Sequence, residues 1–356
     1  MNQHSSDPSD YLPTASLEAL QQRSQLIKVM RAFFESRGYW EVETPLLSQD
    51  CVVDAYIDPF TAQWQPDEGS AQVNRPTQSD VRYLQTSPEF AMKRLLSAGA
   101  DQIYQITHAF RQAERGTMHN PEFSMLEWYR RGETHHDQMT FVEALVRDVY
   151  QTAESISDQS QRTALPEADF PRLSYEEAFL EFVGLSAHHT SAAAFARTAE
   201  QRQISVPSDF DHADRLGWQN LLLVELVEPE LERMGAVFVY DYPPEQSALA
   251  RIRPADETCP QPVAERFELY LQGIEICNGY HELTDADELR IRIARQSELR
   301  QQEQRPALPA ESYLLAAMEA GLPACAGTAL GLDRLIMLAL GKRRLQDVIA
   351  FPFDRA

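Results

Sequence analysis

Residues 327–334 read GTALGLDR: small residues at Gly327, Ala329 and Gly331, then an Asp-Arg pair where the helical pattern LIMLALG begins. Small residues let backbone approach a ligand closely. The spacing fits neither the P-loop nor the dinucleotide fingerprint. Arg334 falls in the first turn of the next helix, an end that favours anions, so its guanidinium calls for an anionic partner; the plainer alternative is a tight turn with a surface arginine. A second cluster, FRQAERGTMHNPEF (110–123), ends a strand in Arg111 and returns through His119 and Asn120 to Phe123. An arginine there can hold phosphate in a bidentate fork, and a phenylalanine can stack on a flat base for about 0.5–1.5 kcal/mol beyond its burial. Alone, this cluster reads as a polar hairpin with one core Phe. In GIEICNGYHEL (273–283), Glu275 stands among apolar strand residues, followed by Asn278 and Glu282. Carboxylates are costly to bury unless paired or bound to a cation; two of them with an amide suit Mg²⁺, and an edge strand with solvated glutamates fits equally. Last, Glu89 in TSPEF and Glu127 with Tyr129 in LEWYR could line an acidic, aromatic pocket for an amine-bearing molecule. Each taken singly reads as a core aromatic beside a solvated Glu.

The elements that must position these groups follow from periodicity and punctuation. Residues 1–15 read as a disordered lead. A helix starts near Ser16, with Leu17, Leu20, Ile27, Met30, Phe33 and Phe34 at helical spacing and Gly38 as its stop. YWEVETP (39–45) alternates as a strand and halts at Pro45. Residues 65–80 read as a surface loop. Ser87, then Pro88 at the first helical position and Glu89 behind it, open a helix. Residues 102–111 and 122–130 form a long hairpin. Residues 153–170 are polar and flexible, and 171–235 look like a mainly helical insertion. Strands return at 236–243, 265–273 and 274–283. Helices follow at 284–304 and 309–320, then the strand CAGTALG and its helix. Hairpin-joined strands with helices gathered around them predict an α+β fold on an antiparallel sheet.

Bulk properties narrow the classes. The 356 residues carry 32 Lys and Arg against 54 Asp and Glu, a formal charge of −22. A protein that grips a long nucleic acid needs cations to neutralise phosphates, and no lysine-rich run exists here. The basic patches at Arg130-Arg131 and GKRRL (341–345) read as solvated ends. Cysteines 51, 259, 277 and 325 are too scattered for a metal cluster or disulfide framework, so reduced, cytosolic thiols are expected. The polar, acidic N-terminus is no signal peptide. No apolar run approaches the ~18–20 residues a membrane span needs, so no membrane association is expected.

Taken in order, the clusters resemble the catalytic core of the class II aminoacyl-tRNA synthetases. The first helix and the strand ending at Pro45 resemble motif 1, a dimer-interface element. FRQAE…HNPEF resembles motif 2, and GTALGLDR resembles motif 3, a Gly-x-Gly-x-Gly-x-x-Arg pattern. TSPEF…MKRLL, MHNPEF, MLEWY and NGYHELTD are similar to lysyl-tRNA synthetase in particular. The resemblance spans about 16–356, with no anticodon-reading OB-fold before the core. That truncated pattern is similar to the elongation factor P–(R)-β-lysine ligase family, as are MLEWYR, Ala329 within motif 3 and the ending VIAF…DRA.

The resemblance implies an ATP-dependent ligase of the cytoplasm, a homodimer that takes no tRNA. It would activate (R)-β-lysine as an adenylate and transfer it to a lysine ε-amino group of elongation factor P. Arg111 would hold the α-phosphate and the substrate carboxylate. Asn120 and Phe123 would place the adenine, Gln112, Ala113 and Glu114 would also bind the ATP, and His119 and Arg334 would contact the outer phosphates. Glu275 and Glu282 would serve Mg²⁺, with the backbone at Ile276 and Gly331 near the nucleotide. Ser87, Pro88, Glu89, Glu127, Tyr129, Asn278, Glu282 and Ala329 would form the pocket, whose negative charge suits two ammonium groups. Motif 2 commonly carries Glu where Ala113 stands; Glu114 or main chain would then take that contact. Lysyl-tRNA synthetases place Gly where Ala329 stands. A tRNA-charging enzyme and a non-catalytic regulatory relative are the alternatives. The charge and the missing OB-fold oppose the first, and the presence of both Arg111 and Arg334 opposes the second.

Overall fold

The computed structural model describes residues 11–63, 81–157, 162–257 and 259–356. The loop expected at 65–80 and the first ten residues of the lead lie outside them. The lead ends earlier than expected. The Thr14 amide donates to the Ala350 carbonyl at 2.9 Å, and Ala15 is buried, so these two residues are anchored.

In chain order the elements are α1 (Leu17–Glu35), β1 (Trp40–Glu41), β2 (Leu47–Ser48), β3 (Thr61–Gln63), β4 (Val81–Leu84), α2 (Glu89–Ser97), β5 (Gln102–Phe110), β6 (Glu122–Arg131) and α3 (His135–Ile156). Then come β7 (Arg172–Ser174), α4 (Tyr175–Ala178), α5 (Ala192–Gln201), α6 (Arg215–Leu222), α7 (Glu228–Met234), β8 (Ala236–Tyr242), β9 (Ile252–Arg253), β10 (Val263–Leu271) and β11 (Ile274–His281). The chain closes with α8 (Ala286–Gln302), α9 (Tyr313–Gly321), β12 (Cys325–Gly331) and α10 (Leu332–Ala339). The fold is α+β.

Two compact units divide the chain. The first takes residues up to Tyr129, Thr284–Pro323 and Gly331–Ala356. In it Ser16 caps α1, its Oγ accepting the Ala19 amide at 3.1 Å, an interaction worth about 1 kcal/mol. Ala19, Leu26, Met30, Phe33 and Phe34 form the buried stripe. Leu17 is exposed instead, because it lies two residues, about 200°, around the helix from Ala19. Gly38 (φ +81°) turns the chain into β1. The strand expected over 39–45 pairs only briefly. Trp40 and Glu41 lie parallel to Ile103 and Tyr104 of β5, and Val42 makes the last bond of the ladder, to Tyr104. The strand order here is β1-β5-β6, beside a small antiparallel sheet ordered β2-β4-β3.

The second unit takes Arg130–Leu283 and Ala324–Leu330. Its strands run β12-β11-β10-β8-β7, with β9 on β10, antiparallel except where β7 meets β8. The stretch 171–235 holds β7, four helices and two π-helical turns, and its Phe179, Phe195, Trp218 and Leu222 pack with Val237 and Val239 of β8. The flexible stretch expected at 153–170 is anchored at both ends. The helix α3 continues to Ile156, Arg147 donates to the Pro166 and Ala168 carbonyls, and Phe170 is buried; residues 158–161 lie outside the description.

One buried arginine fixes the ground beneath motif 2. Arg300 of α8 is 1% exposed, pairs with Asp58 at 2.8 Å, and donates to the carbonyls of Asp54, Ile57 and Pro306. The Asp58 carbonyl in turn accepts the Gln112 amide at 2.9 Å. Arg300→Met should destabilise the protein by about 2–4 kcal/mol, because it strips the donor from three carbonyls and leaves Asp58 with Arg305. Chemical denaturation checks this: a midpoint like that of the unaltered protein would mean that water replaces the guanidinium at no cost.

Candidate active site

Strand β5 ends at Phe110, and the turn after it returns the chain to β6. The Arg111 amide donates to the Pro121 carbonyl at 2.8 Å, and Gly116 and His119 bridge each other at the tip. This closes the expected hairpin and aims Arg111. Its Nη1 lies 3.0 Å from Glu114 Oε1, its Nε donates to the Thr86 carbonyl, and its guanidinium sits 5.1 Å from the Phe123 ring centroid. Glu114 is therefore the partner of Arg111, while Ala113 is exposed. The Asn120 amide is engaged on both sides: Nδ2 donates to the Glu122 carbonyl at 2.5 Å, and Oδ1 accepts the Phe353 amide at 2.9 Å. The chain's last residues thus brace the motif 2 loop, with Arg115 paired to Asp354 and the Leu345 amide on the Thr117 carbonyl.

Gly331 is the N-cap of α10, which places Arg334 in the first turn. Arg334 Nε donates to the Met118 carbonyl at 3.2 Å, and Nη2 stands 2.7 Å from His119 Nε2. Desolvation, and then the Arg334 charge, lower the His119 pKa. The imidazole is accordingly neutral near pH 7 and its Nε2 lone pair accepts from Arg334. Two arginines thus converge on one loop. The neighbouring Asp333 was not singled out in the sequence. It is buried, accepts the Ser124 amide at 2.7 Å and pairs with Arg23 at 2.6 Å, fastening α1, β6 and α10 together.

The same unit brings together Ser87, Glu89, Glu127 and Tyr129, expected to line an acidic pocket. Pro88 is the N-cap of α2 rather than its first helical residue, so the helix starts one residue later than expected. Ser87 Oγ donates to Glu127 Oε2 at 2.8 Å and accepts the Glu89 amide at 3.1 Å; the Tyr129 hydroxyl donates to Glu127 Oε1 at 2.6 Å. Burial, and then the charge of Glu89, push the Glu127 carboxyl up to about 7, with Tyr129, Ser87 and Lys93 opposing the rise. Glu89 is already matched: Lys93 Nζ lies 2.5 Å from its Oε1. The pocket's charge in this unit therefore does not provide for two free ammonium groups. The i, i+4 spacing of Glu89 and Lys93 was the available signal.

In the second unit β11 carries Glu275, Ile276 and Asn278, and Glu282 follows its end. Strict alternation would put Glu275 and Glu282, seven residues apart, on opposite faces. The β10–β11 register shifts between Leu269, opposite Cys277, and Tyr270, opposite Glu275. One extra residue enters β11, both Ile276 and Cys277 are buried, and Glu275 falls on the face of Asn278 and Glu282. Asn278 stands directly opposite Ala329 of β12. Its amide is oriented by Arg266 Nε, 3.2 Å from Oδ1, and by Glu268, 3.4 Å from Nδ2; Glu268 also accepts from the hydroxyls of Tyr242 and Tyr270. Arg266 and Glu268 went unnoticed because ERFELYL reads as an ordinary alternating strand. Gly279, beside Asn278, admits no Cβ, which would overlap the Phe267 ring and stand 2.7 Å from Thr328 Oγ1.

Among the described residues, the group of three or more His, Cys, Asp or Glu side chains gathered closely enough for a metal is His135, Glu265 and His281. Its carboxylate is already matched by Arg251 at 2.9 Å, and Asp241, beside His135, pairs with Arg253. Two carboxylates on one strand face fit a Mg²⁺ that brings most of its oxygens from elsewhere, as phosphates and water.

Class follows from this arrangement. Residues 10–355 match the model for tRNA synthetases class II (D, K and N), and the chain belongs to that family. Within it, the relatives carry a narrower name. A Vibrio cholerae protein is 41% identical over 98% of this chain and 99% of its own length, and a Proteus mirabilis protein is 40% identical over 99% and 100%. A Salmonella arizonae protein is also 40% identical, over 99% and 100%. All three are elongation factor P–(R)-β-lysine ligases. No helix among the described residues is long and apolar enough to cross a membrane.

Proposed function

We propose that this protein is an elongation factor P–(R)-β-lysine ligase. It activates (R)-β-lysine with ATP and transfers the β-lysyl group to a lysine of elongation factor P. The observation that carries the reading is the near-full-length identity to proteins of that name, joined to the two arginines on one loop. The first step is attack of the amino-acid carboxylate on the α-phosphate, with pyrophosphate leaving. Such a step depends on positioning and charge stabilisation more than on covalent work by the protein. Arg111 holds the α-phosphate and carboxylate; Arg334, backed by neutral His119, holds the outer phosphates; Phe123 and the Gln112–Glu114 and Asn120 backbone place the adenine. Glu275 and Glu282 would hold Mg²⁺, which would supply charge to neutralise the phosphates, and Ile276 and Gly331 would lie close to the nucleotide. Ser87, Pro88, Glu127, Tyr129, Asn278 and Ala329 shape the amino-acid pocket. In the second step the acceptor lysine amine, losing its proton, bonds to the acyl carbon and AMP leaves.

The protein acts in the cytoplasm as a homodimer and takes no tRNA. The motif 1 region exposes Leu17, Trp40, Leu46 and Leu47, apolar side chains that a second copy would cover. The functional test is ATP–pyrophosphate exchange with (R)-β-lysine, (S)-β-lysine and α-lysine, followed by the mass of elongation factor P. Preference for α-lysine with no gain of mass sinks the reading. Ala329→Gly should raise α-lysine activation relative to (R)-β-lysine, because its methyl group faces Asn278 across the β11–β12 pair. Methyl-scale differences are worth about 1–3 kcal/mol; an unchanged isomer ratio would place the discrimination elsewhere.

A further inference from the structure

The loop between β5 and β6 is short of packing. Gln112, Ala113, Arg115, Gly116, Thr117 and His119 are exposed, so few apolar contacts hold its shape, and its hydrogen bonds to other segments decide how rigid it is. Some of those holds belong to groups that a nucleotide would itself engage: Arg111, on Glu114 and the Thr86 carbonyl, and Arg334, on the Met118 carbonyl and His119. Others are main-chain bonds that a nucleotide would leave in place. The Asp58 carbonyl holds the Gln112 amide, and residues 345–354 hold the tip of the loop. The Leu345 amide donates to the Thr117 carbonyl at 3.0 Å, and the Phe353 amide donates to Asn120 Oδ1 at 2.9 Å. Nδ2 of the same carboxamide donates to the Glu122 carbonyl, so Asn120 ties the loop to this segment and to the start of β6. The Phe353 ring centroid lies 5.7 Å from the Arg115 guanidinium and 6.1 Å from that of Phe60, and Arg115 pairs with Asp354. The segment is itself fastened, because Thr14 donates to the Ala350 carbonyl from both its amide and its hydroxyl.

We propose that Phe353 is a positioning residue for the nucleotide: its main-chain N–H latches the Asn120 side chain, and thereby holds the Asn120 backbone and the neighbouring His119 in the geometry that ATP binds. The inference rests on the functional reading above, which sets the adenine against the Asn120 backbone and the outer phosphates against Arg334 and His119. Both ends of the Asn120 carboxamide are engaged within the protein, so this side chain acts by holding the loop rather than by reading the base. Order established before binding lowers the cost of binding. Its loss therefore shows in the affinity for ATP and leaves that for the amino acid alone. Every residue except proline carries the N–H that the latch needs, so the residue type at position 353 gives no sign of it.

The test compares the unaltered protein, Phe353→Pro, Phe353→Leu, Asn120→Ala and the double variant Asn120→Ala/Phe353→Pro. Each is measured by ATP–pyrophosphate exchange over a range of ATP and of amino acid, and by calorimetric titration with ATP alone. Proline deletes the N–H and fits the site: Pro352 already has the extended geometry that a following proline requires (φ −67°, ψ 160°), and position 353 opens a short 3₁₀ turn. Phe353→Pro should raise KM and Kd for ATP about fivefold, the scale of one hydrogen bond, and leave KM for the amino acid within about twofold. Phe353→Leu keeps the N–H and should hold ATP affinity to within about twofold, because the N–H and not the ring makes the bond. The double variant should match Asn120→Ala to within about twofold, because both changes remove the same bond. Unmoved ATP affinity in Phe353→Pro, equal losses for both substrates, a leucine variant as weak as the proline one, or additive losses in the double variant would each overturn the inference. If Phe353→Pro does not fold, amide hydrogen exchange decides. The Phe353 amide should exchange at least about tenfold faster in Asn120→Ala than in the unaltered protein, and an unchanged rate overturns the latch. An unaltered protein that binds ATP but activates none of (R)-β-lysine, (S)-β-lysine and α-lysine overturns the functional reading, and the ATP titrations then decide the latch. One that binds no ATP overturns both.

Discussion

Arg334→Ala should lower ATP–pyrophosphate exchange by at least about 10²–10³-fold, the cost of deleting one preorganised charge donor from a transition state. The fold should survive. Arg334 is half-buried, and its contacts shown here are with the Met118 carbonyl and His119; the buried ion pair that fastens α10 belongs to Asp333 and Arg23. The measurement is exchange rate beside thermal midpoint. A near-normal rate would remove Arg334 from the outer phosphates. A midpoint that collapses with the rate would make it a structural residue. His119 adds a pH signature. Its pKa is lowered on folding, so the unfolded chain binds protons first as the pH falls. The stability linked to His119 is present above the unfolded value near 6.5 and is lost as the pH drops through the folded value.

Glu127→Gln should raise KM for the amino acid about 10- to 100-fold, from the 1.5–3 kcal/mol of a charge-assisted bond, with KM for ATP unchanged. Lys93 already pairs with Glu89. The pH dependence follows from the same residue. Burial pushes Glu127 up to about 7. Below that value the carboxyl gains a proton, and amino-acid affinity should fall about tenfold per pH unit. The glutamine variant, having no proton to gain, should lose this limb. In the absence of substrate the linkage runs the other way. The raised pKa contributes stability that is full below the unfolded value near 4.5 and is lost as pH rises through 7. A pH profile of KM, paired with a carboxyl titration by NMR, checks both. An acid limb that persists in the variant would assign the titration to another group.

Local chemistry made several elements legible. Ser16 and Gly38 bracket α1, Ser87 and Pro88 open α2, and the polar run between two apolar strands announces the motif 2 hairpin; each signal acts through bonds to residues at most a few positions away. Less legible were features that depend on a distant partner. YWEVETP alternates throughout, yet only Trp40 and Glu41 find a partner strand. Residues 14 and 15 look like a tail, yet Ala350 holds Thr14. Arg300 reads as one more charge on a solvated helix and is fully buried.

The sequence by itself determined the class of the protein and singled out its candidate groups, because these are matters of residue type and order: Arg111, His119, Phe123, Glu127, Glu275 and Arg334 can be named from their motifs. Tertiary structure alone decided their state. Which face Glu275 takes depends on a register shift with β10, and whether Glu89 is free depends on where Lys93 comes to rest. That Glu127 titrates near 7 depends on the water removed around it. Register, pairing and desolvation are set by what packs against a residue; for Glu275 those neighbours come from beyond the motif, while Lys93 sits inside the motif of Glu89 and only its packing had to be decided.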